Sequence, residues 1–364
     1  MQTEPDNQSF YSFDKLELSA LEAINEAQRL AFAPVVFHAL VLLRDRGILE
    51  FLKINHHTGA TIEEVSKNCN ISEYGARVLL ESGLGSRVCI LKDGKYYLTK
   101  VGYYINSDEM TRVNMNYSLD VCYKAMIHLG KAIDHEYAAG LVELGPWRTI
   151  YEGLSILPEP AKKSWFEFDH FYSDHSFKQM LPILFKYLPK QIFDIGGNTG
   201  KFSIACCNFD PDVQMTICDL PVQLEAAEKN LSQSPFKHRI KLQQLNVLTP
   251  PYRFTEKADA IVMSQFLDCF SPKEITDVLL YSKDGINENG RVFIIETIWD
   301  RQRFEASAFC LQQTSLYFTA VANGNSKMYG HDQFSNCIKN AGYEIEEIHD
   351  NLGISHTLYI CKPI

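Results

Sequence analysis

The chain of 364 residues is long enough for two domains and a substantial core, and its 46% hydrophobic and 22% charged residues are ordinary for a globular protein. A net charge of −10 argues against nucleic acid or an anionic membrane as its main partner. The ten cysteines are scattered without a C-x-x-C pair, which favours free thiols in a reducing compartment over disulfides or zinc sites. The apolar run at 31–43 is too short to span a membrane and has the wrong flanks for a signal peptide, so we expect a cytoplasmic protein.

The first 110 residues predict a small module of helices followed by a hairpin. Residues 16–30 and 34–52 show helical apolar spacing and predict two helices, with Pro34 interrupting the pattern between them. Thr61 and Glu64 form a capping-box pattern at the start of a further helix, and an Asp-Gly pair at 93–94 separates two short strand-like runs. Helix, turn, helix and hairpin in this order are typical of a winged helix.

Such a module could either bind DNA or mediate dimerisation. Residues 1–110 contain 11 basic and 15 acidic side chains, and the would-be recognition helix carries Glu73, Arg77 and Glu81 instead of a basic stripe. Because phosphate contacts dominate affinity for DNA, this charge balance argues against DNA binding.

The remainder of the chain predicts helices and then an alternation of strands and helices. Residues 113–154 form a long helical stretch with a break at Gly145-Pro146-Trp147, and 166–180 is rich in aromatic residues. From 191 onward, strand-to-helix repetition predicts a doubly wound, mostly parallel α/β sheet. The predicted strands are 191–195, 213–218, 239–244, 258–263 and 290–296, with a closing pair at 343–349 and 356–361.

The run QIFDIGGNTG at 191–200 predicts a buried strand, a glycine turn and the start of a helix. Its pattern is D-x-G-G-x-x-G, which is not the G-x-G-x-x-G fingerprint of dinucleotide binding. Asn198 stands where a third glycine could sit, and Asn tolerates positive φ. Asp219 ends the second strand, where a carboxylate can accept hydrogen bonds from both hydroxyls of a ribose; the alternative is that it caps the helix near Pro221.

With Asp219-Leu220-Pro221 added, the chain resembles the class I S-adenosylmethionine-dependent methyltransferases from about residue 33 to its end. More closely, it is similar to the two-domain small-molecule O-methyltransferases that include caffeate, flavonoid and hydroxyindole enzymes. The resemblance implies a Rossmann-like sheet, S-adenosylmethionine as cofactor and a homodimer formed through the winged-helix domain. It divides the chain into a dimerisation domain at 1–110, a helical connector at 111–186 and a cofactor-binding domain at 187–364.

The resemblance also implies a cofactor site at the carboxyl ends of the strands. The glycine turn would approach the methionine portion, and Leu220 would lie against the adenine. Asn246-Val247 stands where relatives have an Asp-Phe or Asp-Met pair, and Ser264 stands at the position of a Lys. The residues implied in cofactor binding are Asp194, Gly196, Gly197, Gly200, Asp219, Leu220, Asn246, Val247 and Ser264.

For the acceptor pocket, the resemblance implies the helix that precedes the glycine turn. Phe168 matches the Phe of a Phe-Asn pair, whereas Asp169 replaces the Asn and Tyr172 replaces a Met. Gln333 falls where relatives place a supporting Glu. We expect these four residues to contact the acceptor, although helix packing alone would also explain the aromatic ones.

The catalytic segment departs most from the family. Relatives carry K-W-x-x-H-D-W-S after the fourth strand, whereas this chain reads SQFLDCFS at 264–271. Aligned without a gap, Asp268 occupies the position of the catalytic His and is predicted to be the base, with a pKa of about 3.9 unless burial raises it. The alternatives are that Asp268 caps the helix at Ser271-Pro272, or that His170, His175 or His331 is the base.

The sequence therefore predicts methyl transfer from S-adenosylmethionine to a hydroxyl of a small, aromatic molecule, without a metal. One alternative is the same cofactor with a nitrogen or carbon acceptor, or a reaction without methylation such as decarboxylation or hydroxylation. Another alternative is a non-catalytic winged-helix sensor or scaffold.

Overall fold

The computed structural model describes residues 10–250 and 252–364. By their internal contacts, these residues form two compact units: an N-terminal unit, Phe13–Leu119, and a C-terminal unit that contains residues 10–12 and Asp120–Ile364. The division into three domains made from the sequence stays a prediction. Among the described residues, no single helix is long and apolar enough to cross a membrane. The helices Ala20–Ala31 and Ala33–Asp45 reach that length and apolar character only when they are counted together, and the chain bends by 66° between them.

The N-terminal unit packs helices and a two-stranded hairpin against a shared apolar core. The predicted capping box is confirmed, since the Thr61 amide donates to Glu64 Oε2 (2.8 Å) and the Glu64 amide donates to Thr61 Oγ1 (3.3 Å). The helix expected over 34–52 is divided, because Gly47 adopts a left-handed conformation with φ of 75°. The elements are α1 Ala20–Ala31, α2 Ala33–Asp45, α3 Ile48–Ile54, α4 Ile62–Asn68, α5 Glu73–Gly85, β1 Cys89–Lys92, β2 Lys95–Leu98, α6 Lys100–Ser107 and α7 Glu109–Tyr117.

The C-terminal unit begins with helices that the sequence predicted as a long helical stretch with a break at Gly145-Pro146-Trp147. The continuity predicted before that break is wrong, because Glu136 ends a helix in the left-handed conformation (φ 52°) and the chain then passes through short 3₁₀ turns. Two π-helical turns, Ser118–Cys122 and Phe318–Ala322, also interrupt the α-helical geometry. The helices before the sheet are α8 Leu129–His135, α9 Ile150–Gly153 and α10 Ala161–Leu184.

A seven-stranded, doubly wound sheet forms the centre of this unit, as predicted. Its order is β5-β4-β3-β6-β7-β9-β8, with β3 to β7 parallel and β9 antiparallel to both of its neighbours. Apolar side chains on both sheet faces pack against the helices. The elements are β3 Gln191–Ile195, α11 Lys201–Phe209, β4 Gln214–Asp219, α12 Pro221–Leu231, β5 Ile240–Gln244, β6 Ala258–Ser264, α13 Pro272–Ser282, β7 Ile286–Thr297, α14 Glu305–Tyr317, α15 His331–Asn340, β8 Tyr343–Leu352 and β9 His356–Pro363.

Candidate cofactor and acceptor site

The glycine turn after β3 brings bare backbone to the carboxyl edge of the sheet. Gly196, Asn198 and Gly200 all have positive φ (74°, 48° and 77°), a conformation that glycine adopts at no steric cost and asparagine tolerates. A Cβ atom on Gly196 would lie 2.2 Å from the Phe266 ring, so no side chain fits there. The turn closes with a 2.8 Å hydrogen bond from the Gly200 amide to the Gly197 carbonyl, and α11 begins at the next residue.

Asp219 joins the end of β4 to this turn. Its Oδ2 accepts a hydrogen bond from the Asn198 amide (2.9 Å), and its Oδ1 accepts one from the Leu220 amide (2.7 Å). Burial raises the pKa of Asp219, and the two amide donors oppose that rise. Since α12 has Leu220 as its N-cap with no side-chain capping bond, Asp219 is not the cap of that helix. Each carboxylate oxygen keeps room for a further donor, as a ribose would supply.

Asp194 lies beneath the glycine turn. It is buried at the end of β3, and its Oδ2 accepts a 2.7 Å hydrogen bond from the Ser203 hydroxyl on α11. Burial raises the pKa of Asp194 to about 7, with the Ser203 bond opposing the rise. A Cβ atom on Gly197 would lie 2.7 Å from this carboxylate. Asp194 therefore supports the turn from below, and its contact with the methionine portion stays a prediction.

The other residues predicted to bind the cofactor follow neighbouring strands at the same edge. Ser264 ends β6, and the loop after β5 donates a backbone hydrogen bond (2.9 Å) to the Asp219 carbonyl. In that loop Val247 is buried in the core, whereas Asn246 is exposed and its Oδ1 accepts from the Leu248 amide (3.0 Å). The predicted residues thus lie together at this edge of the sheet, although the Asn246 side-chain oxygen already accepts a hydrogen bond from the Leu248 amide.

Asp268 lies in the 3₁₀ turn Leu267–Cys269, just beyond β6. Its side chain is only 6% exposed, and Oδ1 accepts a 3.5 Å hydrogen bond from the Cys269 thiol. Burial raises the pKa of Asp268 to about 6. The helix that follows is capped by Ser271, which forms a capping box with Glu274, so Asp268 is not needed as a cap.

Glu296 is a buried acid that sequence reasoning missed. Near the end of β7, its Oε1 accepts hydrogen bonds from the amides of Phe266 (2.9 Å) and Leu267 (2.7 Å). Glu296 is 1% exposed, and burial together with the nearby Asp268 carboxylate raises its pKa. The signal was present: an acid interrupts the apolar run VFIIETI at 292–298. Glu296 holds the loop that carries Asp268.

The structure separates Gln333 from this arrangement. Gln333 is exposed on α15, while Phe334, Cys337 and Ile338 form the buried face of that helix. The carboxylate that lies in the electrostatic field of Asp268 is Glu296, not a group on α15. The contact of Gln333 with an acceptor stays a prediction, with no support from its exposed position.

The three aromatic and acidic residues predicted from α10 are half-buried on that helix. The rings of Phe168 and Tyr172 lie 5.0 Å apart, and the Asp169 carboxylate is 3.8 Å from His170 Nδ1. Of the other two candidate bases, His175 is exposed and bonded to the Phe171 carbonyl (2.6 Å). His331 bonds the Tyr359 hydroxyl (2.9 Å), and burial lowers its pKa.

A polar wall faces the Asp268 loop, formed by Tyr151, Trp165, Tyr317 and Asn323. Trp165 Nε1 donates to the Tyr317 hydroxyl (2.7 Å), and Asn323 Nδ2 donates to the Cys269 carbonyl (2.6 Å). The wall comes from three segments far apart in the sequence, so no local pattern predicts it.

An outer cavity of about 1030 Å³ is lined in part by Asn323. Charged and aromatic side chains line it, which gives room for a small molecule next to the wall. They include His128, Lys131, Tyr137, Trp147, Arg148 and Glu152.

Several buried polar atoms in this region lack hydrogen-bond partners among the described residues. They are the Tyr151 hydroxyl, Gln265 Oε1 and Glu296 Oε2 near Asp268, and Asn198 Oδ1 in the glycine turn. Leaving such a group unpaired costs about 1–3 kcal/mol, so a bound polar group that reached one of these atoms would gain a hydrogen bond without displacing an existing one. The bare turn and the spare capacity of Asp219 therefore fit a nucleoside with an amino-acid tail, and the Asp268 loop fits a polar acceptor.

Comparisons with known proteins give matches to two family models, to a relative and to solved structures. Family models described as a Dimerisation2-like domain and an O-methyltransferase domain match residues 25–96 and 178–344. The L-tyrosine C(3)-methyltransferase of Streptomyces lavendulae is 20% identical, over 87% of this chain and 86% of that relative. The solved structures of the S-adenosylmethionine-dependent methyltransferase SibL (TM-score 0.70, 19% identity, 95% of this chain and 99% of that one) and of the mitomycin 7-O-methyltransferase MmcR (TM-score 0.70, 15% identity, 95% and 98%) share the fold. The chain therefore contains an O-methyltransferase domain of the S-adenosylmethionine-dependent type at 178–344, preceded by a Dimerisation2-like domain at 25–96.

Proposed function

We propose that this methyltransferase acts on a hydroxyl group of a small aromatic acceptor and that Asp268 removes the hydroxyl proton. The observation that carries the proposal is a buried carboxylate with a raised pKa, placed beyond β6 among polar atoms that lack partners. A carboxyl group with this pKa is ionised above about pH 6. Because it binds a proton more tightly than an ordinary exposed Asp does, it is the better acceptor for the proton of a phenol.

For the cofactor, we assign the residues of the carboxyl edge to the roles expected from the sequence. S-adenosylmethionine supplies a methyl group on a positively charged sulfur, which is already activated toward attack. Asp219 would hold the ribose hydroxyls, the turn at Gly196, Gly197 and Gly200 would lie against the methionine portion, and Leu220 with Val247 would cover the adenine. Asp194 would act indirectly, by holding the turn through Ser203.

The protein's own part in the reaction is then alignment, exclusion of water and acceptance of one proton. Glu296 fixes the backbone of the Asp268 loop through two amide bonds, which limits the movement of the base. The half-buried rings of Phe168 and Tyr172 on α10, together with Trp165, suit an aromatic acceptor.

Transfer to a ring carbon is the second candidate. The relative from Streptomyces lavendulae is named for methylation at C(3) of L-tyrosine, next to a phenolic hydroxyl. Removing the proton from a phenol also enriches the neighbouring ring carbon in electrons, so Asp268 would serve either outcome.

The test is a screen of phenols, catechols, amines and aromatic amino acids with S-adenosylmethionine carrying a ¹³C-labelled methyl group. The carbon chemical shift of the product distinguishes methyl on oxygen, nitrogen and carbon. Product methylated on oxygen supports the first proposal, and product on ring carbon supports the second. A nitrogen-methylated product from an amine that needs no base would contradict both.

We also propose a homodimer formed through α1. This helix is amphipathic, yet none of its residues is buried, and Leu21 and Ile24 are 68% and 59% exposed. A second copy of the chain is the occupant that the match to a dimerisation domain supports. The hairpin β1–β2 after α5 is consistent with a winged helix. The scattered cysteines without a C-x-x-C pair are consistent with the reducing cytoplasm.

Replacing Ile24 with Lys is expected to weaken self-association by at least about tenfold, because it places a charge in an apolar contact. Sedimentation velocity over a concentration series measures this, with the nearby exposed Arg29→Ala as the matched control. A wild-type protein that is monomeric at all concentrations would contradict the proposed dimer.

A further inference from the structure

Tyr151 places a phenolic hydroxyl beside the Asp268 loop. It lies on the short helix α9, and its hydroxyl is buried next to the thiol of Cys269. The charges of Asp268 and the hydroxyl of Tyr317 also act on it. The same thiol donates to Asp268 Oδ1, so Tyr151 and Asp268 share Cys269 as a neighbour.

Tyr151 differs from the other groups of the polar wall. Tyr317 accepts a hydrogen bond from Trp165, and Asn323 donates one to the Cys269 carbonyl. The Tyr151 hydroxyl has no partner of normal hydrogen-bond geometry within residues 10–250 and 252–364. A buried hydroxyl left unpaired costs about 1–3 kcal/mol, and the neighbour that offsets this cost is the Cys269 thiol, a weak partner that also serves Asp268.

We propose that Tyr151 is an acceptor-binding residue, whose hydroxyl donates a hydrogen bond to the acceptor oxygen while the Asp268 carboxylate accepts the proton of that oxygen. The inference rests on the proposed function and deepens it, because it assigns the acceptor to molecules that present a phenolic hydroxyl. The step is balanced: the acceptor O–H bond breaks, its proton and Asp268 form a carboxylic acid, and the electron pair stays on the acceptor oxygen. The hydrogen bond from Tyr151 stabilises that negative oxygen.

The surroundings of Tyr151 keep it a donor. Burial and the neighbouring Cys269 raise the pKa of Tyr151 well above its usual value, so the hydroxyl stays protonated. The titratable groups that face this corner are Asp268, Cys269, Tyr317 and, across the loop, Glu296. Each of these groups is either neutral or negatively charged. The Tyr151 hydroxyl therefore supplies a hydrogen-bond donor at a place where the negative oxygen of the acceptor would otherwise be repelled by carboxylates.

The experiment uses the full chain saturated with S-adenosylhomocysteine and titrated with 4-nitrophenol and 4-nitrocatechol, whose visible absorbance reports phenolate formation. We expect the wild type to bind these probes with an apparent phenol pKa below that in solution. Tyr151→Phe is expected to bind the phenolate about 10- to 100-fold more weakly, as loss of a hydrogen bond to a charged oxygen predicts.

Two controls separate this role from a structural one. Tyr281→Phe removes a tyrosine hydroxyl on α13, where the ring packs on Tyr252, and should leave probe binding unchanged. Tyr151→Phe removes an unpaired hydroxyl, so its melting temperature should be equal to or above that of the wild type, and its affinity for S-adenosylhomocysteine should not change.

Equal affinity of wild type and Tyr151→Phe for the phenolate would overturn the inference. A wild type that binds S-adenosylhomocysteine but neither nitrophenol would also overturn it, while the methyltransferase assignment would stand. A wild type that binds no S-adenosylhomocysteine would contradict the proposed function itself, together with this inference.

Discussion

Replacing Asp268 with Asn is expected to lower the turnover number by a factor of about 10² to 10⁴, which is the usual contribution of a positioned general base. The amide has nearly the same shape, so it fits the same buried position beside Cys269, but it cannot accept a proton. The glycine turn and Asp219 are untouched, and calorimetry should give an unchanged affinity for S-adenosylmethionine. Near-native turnover of this variant on a true acceptor would show that Asp268 is not the base.

The dependence of the rate on pH gives a second readout of the same residue. Because Asp268 works as a base in its ionised form, kcat/KM of the wild type should rise as the pH increases through about 6 and then level off. Below that pH the carboxyl is protonated and the rate falls. Asp268→Asn should lack this limb, whereas Asp277→Asn, which removes an exposed acid from α13, should keep it.

Replacing Asp219 with Ala is expected to weaken S-adenosylmethionine binding by at least about 100-fold. The carboxylate would lose two hydrogen bonds to ribose hydroxyls, each worth about 1.5–3 kcal/mol to a charged group. It would also release the Asn198 amide, so the glycine turn would lose its side-chain bond to β4 and keep only the backbone bond from the Gly196 amide to the Cys218 carbonyl. Isothermal titration calorimetry measures the change.

Two comparisons make the Asp219 result specific. Asp212→Ala removes an exposed carboxylate before β4 and should bind the cofactor as the wild type does. NAD, titrated into the wild type as a control ligand, should not bind, since the turn lacks the dinucleotide pattern. Unchanged affinity in Asp219→Ala would mean that the ribose is held elsewhere.

The central sheet was predictable because its signals are local. The strands β3, β4 and β6 are short and mostly apolar runs, and the glycine turn contains residues that favour positive φ. The positions of these strands and of the turn at Gly196 and Gly200 therefore followed from the sequence. Asp219 was predictable for the same reason, since it ends a strand at a fixed distance from the turn. The positions of these residues are confirmed, and their contacts with the cofactor stay predictions.

The acceptor side was less predictable because it depends on packing between distant segments. Tyr151, Trp165, Tyr317 and Asn323 meet only through the fold, and each alone reads as an ordinary helical residue. Glu296 was not predicted, because the resemblance to the family placed the supporting acid at the position of Gln333 on α15, whereas the buried acid lies on β7. An acid within an apolar strand is a physical signal of a buried polar group that is independent of such a resemblance.

The π-helical turn Phe318–Ala322 lets the acceptor wall tolerate a change in chain length. A π turn holds about one residue more than an α turn, so deleting one residue there would restore α geometry while the flanks kept nearly the same orientation relative to each other. Tyr317, before the turn, and Asn323, after it, would then still reach Trp165 and the Cys269 carbonyl. A homologous chain that is one residue shorter at this point should therefore keep the same wall, whereas one that lacks a residue from the regular helix α14 would have its flanks rotated by about 100° relative to each other.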